Sequence, residues 1–412
     1  MIHQVKQSKD AVERLNQVIA VQLRLLHLAA DEPALDIRNM KANLDVDYKG
    51  AEEIANWVSN KKIDKATALI NALNRFANHH DASEKRLFIR QIEADIELVS
   101  NPTSGMLQAV FDTDWKRAVG DFMKYFYAIF GDTFPEYLFS DNTRYSRQDF
   151  VRSFGHANPD LFLCSICDTV AYRTRDSQHT YTNVDHFFPQ AQYPHLSIHP
   201  FNLVPICSLC NSGIKGQRDP LYGVTDITQL LLPYSNEPGL SEQAYIKVQP
   251  QSDMSNRDKH PLNLVFQHTK TFHSDTFIKN FDGLYRIEGR WNADIQQLEE
   301  HVFRRLTQFL LVDMQNGSFS RNSNHLAERL RLLMALVSTE DLGRDPFGYA
   351  TVWYLHYLID SLTNTAMCDK SSIYIALTDW ATAHQKHLER LRTHAQELSD
   401  RIPQVNSAVN DP

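Results

Sequence analysis

Two Cys-x-x-Cys pairs constrain this chain more tightly than any other feature of it. Cys164 and Cys167 form one, Cys207 and Cys210 the other, and 39 residues separate them. Four thiolates in two tight knuckles can converge on one ion in the closed tetrahedral geometry of structural zinc. In a reducing compartment such pairs are metal ligands more often than disulfides. The separation is too long for a minimal zinc finger, so an element must be inserted between the knuckles, and what that element carries decides the function. The fifth cysteine, Cys368, stands beside Met367 in a helical stretch and reads as a small core residue.

The insert carries polar chemistry in a fixed order. Residues 172–175 and 180–184 read as two arms of a hairpin that runs into Asp185-His186 and then Pro189, which cannot continue a central strand. Neighbours on a regular strand face opposite ways, so Asp185 and His186 can share a site only at the strand's end. Asn202-Leu203-Val204-Pro205 leads into the second knuckle, and a short helix over 208–215 follows, stopped by Gly216. Asn211 and Lys215, four apart, would share a face of that helix, so a metal ligand and a phosphate-contacting cation could address one phosphodiester. Tyr172, Arg173, Arg175, Lys215 and Arg218 form a candidate nucleic-acid-facing set.

This ordered set resembles the HNH, or ββα-metal, endonuclease family in its zinc-stabilised form: Cys-x-x-Cys, Asp-His with a nearby proline, Asn-Leu-Val-Pro, Cys-x-x-Cys-Asn and a lysine. The resemblance covers residues 164–216, and its third signature position is Asn211 rather than histidine. It implies that His186 is the general base, that Asp185 and Asn211 hold a catalytic divalent cation, and that Asn202 orients the loop bearing His186. An oxygen-rich shell of that kind suits Mg²⁺ or Mn²⁺ better than Zn²⁺, which leaves zinc to Cys164, Cys167, Cys207 and Cys210. The stretch between Pro189 and Asn202 reads QAQYPHLSIHPF where many relatives are glycine-rich. Its His195 and His199 read as structural or exposed rather than as ligands.

The rest of the chain is mostly helical in pattern. Ile54, Trp57 and Val58, then Ala66, Leu69, Ile70, Leu73 and Phe76, trace amphipathic stripes. A break at 101–105 precedes an aromatic helix ending near Gly131. His79-His80-Asp81, near Glu84, reads as a solvated cluster at a helix end. Short strands are predicted over 245–248, 262–266 and 284–287. The helical period returns from Ile295 and runs through 330–337 and 353–362 to a last helix over 372–401, with His384 in its buried stripe. The predicted architecture is mainly α: a helical N-terminal domain (1–140), a small central α+β ββα-metal or treble-clef-like zinc module (141–220), and a C-terminal domain of short strands and then helices (221–412).

Composition narrows the function classes. A chain of 412 residues with 42% hydrophobic residues and no apolar run of membrane length fits a soluble, multidomain protein. A polar N-terminus without a signal-like apolar stretch predicts a cytoplasmic location. The net charge of -8 repels a polyanion at long range, yet from Arg144 to Arg218 seven Lys/Arg outnumber five Asp/Glu. The expectation is a metal-dependent endonuclease acting on double-stranded DNA, with recruitment from a partner. The resemblance points to bacterial anti-phage defence and an ATPase subunit as that partner, and a homo-oligomer is a further possibility. Two rivals stand beside it: a non-catalytic zinc-dependent adaptor for nucleic acid or protein, and an RNase or toxin using the same residues.

Overall fold

A computed structural model describes residues 2–45, 50–62, 69–169, 182–234, 244–250, 262–268, 275–318, 322–341 and 346–363, with 390 and 393. The predicted arm at 172–175, Arg173, Arg175, Cys368 and, apart from 390 and 393, the helix predicted over 372–401 with His384 lie outside these residues. Among the described residues the chain is mostly helical, with two small two-stranded sheets and a cysteine cluster. No helix among them is long and apolar enough to cross a membrane. The chain divides into two compact units, one built mainly of residues 1–245 with 267–287, the other of 246–266, 288–342 and 347–412.

The first unit begins with five helices: α1 (Lys9–Asp31), α2 (Ile37–Leu44), α3 (Ala51–Asn60), α4 (Leu69–Ala77) and α5 (Ala82–Ser100). Their starts are written in the sequence. Ser8 accepts from the Ala11 amide to cap α1, Asp36 and Asn39 close a reciprocal capping box on α2, and Asp81 accepts from the Ser83 and Glu84 amides to cap α5. The cluster predicted around His79 is therefore a helix end: Asp81 is its cap, and His79 bonds Glu84 at 2.9 Å while stacking on Trp115. Ile54, Val58, Leu69, Leu73 and Phe76 of the predicted stripes join one apolar core with Leu15, Val18, Leu25, Phe88 and Ile92, while Ala66 lies outside the described residues.

Two more helices carry that core to the cysteine region: α6 (Asp114–Asp132) and α7 (Arg147–Ala157). The aromatic segment predicted as a helix ending near Gly131 is α6, with Phe122, Phe126 and Phe130 fully buried. At Gly120 the loop residue Pro194 comes so near that a Cβ would sit 3.0 Å from its Cγ, so any side chain there would push α6 off the loop. Val184, Ile198 and Leu203 belong to the same apolar cluster as α1 and α4.

Strand β1 (Thr182–His186) pairs antiparallel with β2 (Leu203–Cys207), in a register from Thr182 opposite Cys207 to His186 opposite Leu203. The described partner of β1 is thus β2, which reaches it across the 187–202 loop, whereas the predicted partner arm lies outside the described residues. Pro205 is tolerated because each strand of a two-stranded sheet is an edge. A π-helix, Leu209–Lys215, follows directly, and α8 (Asp275–Tyr285) packs on it. Residues 284–287, predicted as a strand, instead finish α8 and begin α9 (Ile287–Ala293), with Arg286 at φ +51° between them. The helical spacing of buried Ile278, Phe281 and Tyr285 overrides a short apolar run that suits either structure.

In the second unit β3 (Ala244–Pro250) pairs with β4 (Leu262–His268) where the sequence predicts strands. Asn292 extends that sheet from a helix, its amide nitrogen donating to the Leu264 carbonyl at 2.8 Å and its oxygen accepting from the Leu264 amide at 2.6 Å. Helices α10 (Ile295–Gln315), α11 (Ser323–Leu336) and α12 (Gly348–Thr363) bury Leu298, Val302, Leu330, Leu333, Leu355 and Leu358. Asp313 takes both arms of the Arg329 guanidinium at 2.6 Å.

Candidate functional site

The β1–β2 hairpin has two chemically different ends. Four steps of ~3.3 Å separate Thr182 from His186 by about 13 Å. At the Thr182 end the four cysteine sulfurs, all buried, lie within 4.8 Å of one another, the grouping that the paired knuckles predicted. Cys167 and Cys207 Sγ are 3.9 Å apart, close to the ~3.8 Å edge of a tetrahedron with metal–sulfur bonds of ~2.3 Å. Backbone amides of Cys207 and Cys210 each point at a sulfur at 3.4 Å, and the Thr169 hydroxyl donates to Cys167 Sγ at 3.2 Å. Burial pushes the Cys164 thiol well up, so the cluster can ionise fully only around a cation. The donors and their spacing fit a metal ion such as zinc. The chain's start braces the first knuckle: the Ile2 amide donates to the Ser165 carbonyl at 2.9 Å, and His3 pairs with Asp168 at 2.6 Å.

At the other end β1 delivers Asp185 and His186 together. His186 Nε2 lies 2.9 Å from the Ser197 carbonyl oxygen. A carbonyl only accepts, so Nε2 carries the proton and Nδ1 keeps its lone pair. The ring packs edge-on against Tyr127 at 4.3 Å, and the Tyr127 hydroxyl donates to the Val184 carbonyl at 3.2 Å while accepting from Arg147 at 3.3 Å. Burial lowers the His186 pKa to about 4, helped by the nearby charges of Lys215 and Arg147 and opposed by the Ser197 bond. The imidazole is neutral at cellular pH.

Asp185 is 4% exposed. Lys215 Nζ stands 3.2 Å from its Oδ1 and 3.1 Å from its Oδ2, and donates to the His186 carbonyl at 2.6 Å. Oδ2 is near the ammonium but not aligned for a hydrogen bond, so its lone pairs are unspent. Burial raises the Asp185 pKa to about 6 against the pull of Lys215, and burial lowers Lys215 against the pull of Asp185. Lys215 is 1% exposed. It was predicted to face nucleic acid, and the structure corrects this: its ammonium is spent on an internal carboxylate.

The π-helix explains how Lys215 gets there. Its i→i+5 bond from the Gly216 amide to the Asn211 carbonyl is 2.7 Å. Buried Cys210 and Lys215 are five positions apart. An α-helix would splay them by ~140°, whereas the wider coil stacks them on one side. Asn211 is half-buried, and its side chain has no hydrogen-bond partner among the described residues, which leaves its amide oxygen available. The oxygens of Asp185 and Asn211 suit a hard divalent cation, and Lys215 shows that the site accepts positive charge.

Asn202 is completely buried and bonds the loop at three points: Oδ1 accepts from the Phe188 amide at 2.7 Å, and Nδ2 donates to the carbonyls of Phe188 and Leu196 at 3.2 and 2.9 Å. It acts on loop shape and reaches no reacting atom. Arg218 caps the end of α8 through the Gly283 and Leu284 carbonyls at 3.0 and 3.3 Å. His195 is buried against Phe111, its Nε2 3.1 Å from Asp95 Oδ2 without hydrogen-bond alignment. His199 Nε2 is 3.0 Å from Ser100 Oγ. Both histidines anchor the loop to α5. Sequence reasoning missed Tyr127, Arg147, Ser197 and Tyr285, the last fully inside, where burial first and then the nearby charges of Asp185, Cys210 and Cys164 raise its pKa. Only the aromatic density of α6 hinted at one of them.

No family model matches the chain, and no solved structure matches it. Protein ea31 of Escherichia phage lambda is 48% identical over 52 residues, 13% of this chain. The chain spans 17% of that protein's length, so the likeness is local.

Proposed function

We propose that the chain is a metal-dependent endonuclease of the HNH kind, hydrolysing phosphodiester bonds in DNA. The observation that carries this reading is the tautomer of His186: with Nε2–H committed to Ser197, a basic Nδ1 is held at the strand end beside an unspent Asp185 oxygen and an unpartnered Asn211 amide. His186 takes a proton from the attacking water at Nδ1. Tyr127, braced by Arg147, limits rotation of the ring, and Asn202 keeps the 187–202 loop, hence the Ser197 carbonyl, in register. Asp185 and Asn211 would hold Mg²⁺ or Mn²⁺, which supplies charge stabilisation at the phosphate and the departing 3′ oxygen. The four cysteines would hold zinc and thereby fix the hairpin that presents His186.

The Asp185–Lys215 ion pair favours a second reading, a zinc-dependent adaptor whose acidic residue is structural. Plasmid cleavage by zinc-loaded wild type and His186→Ala, with Mg²⁺ or Mn²⁺ and an EDTA control, separates the two. Metal-dependent cleavage lost in the variant supports the nuclease; no cleavage by either folded protein on DNA or RNA supports the adaptor. Cleavage of RNA in preference to DNA would move the substrate class to that of an RNase or toxin.

A further inference from the structure

A groove of about 450 Å³ has a lining that includes Gln192, Arg218, Asp219, Tyr222, Lys279 and Asn280. Its walls are elements of the site itself. The Arg218 amide donates to the Lys215 carbonyl at 3.1 Å, Gln192 belongs to the loop that positions His186, and Lys279 and Asn280 sit on α8, whose last residue Tyr285 lies near Asp185.

The turn between the walls is built to hold an aromatic ring in water. Asp219 Oδ1 accepts from the Leu221 amide at 2.9 Å, and Oδ2 accepts from the Tyr193 hydroxyl at 2.9 Å. Leu221 is buried, while Tyr222 beside it is 88% exposed. At that exposure both faces of the ring are open to a planar partner, and the ring lines the groove. Arg218 engages α8 through Nη1 and leaves Nε and Nη2 uncommitted among the described residues. Lys279 is exposed and forms no ion pair among the described residues. Cations on both walls and an open ring at the rim suit a nucleic-acid backbone with an unpaired base stacked beside it.

We infer that this groove binds single-stranded nucleic acid, with Tyr222 stacking an unpaired base and Arg218 and Lys279 contacting phosphates, so that the preferred substrate of the His186 site carries unpaired nucleotides. The substrate preference rests on the nuclease reading; the binding does not. In a closed duplex the base faces are already stacked and offer the ring nothing.

Fluorescence anisotropy of a labelled mixed-sequence 20-nucleotide strand and of its duplex, without added Mg²⁺ or Mn²⁺ and with the full zinc-loaded chain, tests it. Tyr222→Ala should weaken strand binding about tenfold, Tyr222→Phe should keep it, and Lys279→Ala should lower the salt slope by ~0.7. Duplex binding should be weaker and indifferent to Tyr222. Strand binding unchanged in Tyr222→Ala, equal weakening in Tyr222→Phe, Tyr222-dependent binding of the duplex, or no nucleic-acid binding by wild type would each overturn the inference. If cleavage depends on His186 while strand binding ignores Tyr222, the groove falls and the nuclease stands. If strand binding depends on Tyr222 but nothing is cut, the nuclease falls and the groove stands.

Discussion

The two ends of the β1–β2 hairpin solve the problem of buried charge differently. At the cysteine end four like groups of one chemical kind surround a single point, a donor set that a metal ion such as zinc could complete. At the histidine end unlike groups balance one another: a lysine neutralises an aspartate, a carbonyl fixes an imidazole, and a tyrosine braces both strand and ring. The first arrangement takes all its donors from two short knuckles. The second draws on α6, α7, the 187–202 loop and the π-helix, so it exists only when the unit around it is folded.

Removing the ion is the strongest way to break this comparison. Cys207→Ala or exhaustive chelation should destabilise the hairpin by on the order of 10 kcal/mol, seen as loss of bound zinc and rapid proteolysis around residues 182–216. If the histidine end stays protected from amide exchange after chelation, the two ends are independent and the zinc is not what holds β1 in place.

Next in size is Lys215→Met, which strands Asp185 without its counter-charge and should cost roughly 3–5 kcal/mol in chemical denaturation. The double variant with Asp185→Asn should recover much of that loss, because no unpaired charge is left inside. Asn202→Ala removes three bonds and should cost about 2–4 kcal/mol while zinc content stays at one equivalent, separating loop shape from metal binding.

Acid should act through His199, whose pKa burial lowers to about 3, with His195 adding to the fall. Ser100 Oγ donates to the Ile96 carbonyl at 2.9 Å and therefore accepts from His199 Nε2, leaving Nδ1 bare and buried. The folded state resists a proton that the unfolded state takes up below about 6.5. Stability from this residue is present above that pH and declines as pH falls toward 3; His199→Phe should flatten that part of a denaturation profile. The smallest effect is Tyr127→Phe, about 1–2 kcal/mol for two long hydrogen bonds, with the His186 ring resonances broadened in NMR.

The cysteine end was legible because spacing alone specifies it: two knuckles state their ligands, their number and their closure. Asp185 and His186 were legible as a pair at a strand end, and the helical stripes of the first unit followed from their period. What stayed hidden depends on distance along the chain. Tyr127 and Arg147 reach His186 from 59 and 39 positions away, and no local pattern marks them. Lys215 misled because a lysine between glycines and polar residues ordinarily lies in water, and only the π-coil turns it inward. Residues 284–287 misled for a simpler reason, since four apolar-rich positions fit a strand as well as the end of one helix and the start of another.

That π-coil has a consequence for how the protein could change. Its extra residue couples the two ends mechanically: Cys210 is gripped by the cluster, and the same turn sets where the Lys215 ammonium points. Relaxing the segment to ordinary helical pitch with every residue kept would turn Lys215 away from Cys210 and swing the ammonium off Asp185, whereas deleting one residue of the Ser212-Gly213 step would leave the pair four apart and about 40° from one another on one face. The pitch of one short coil thus decides whether the carboxylate keeps a tethered cation.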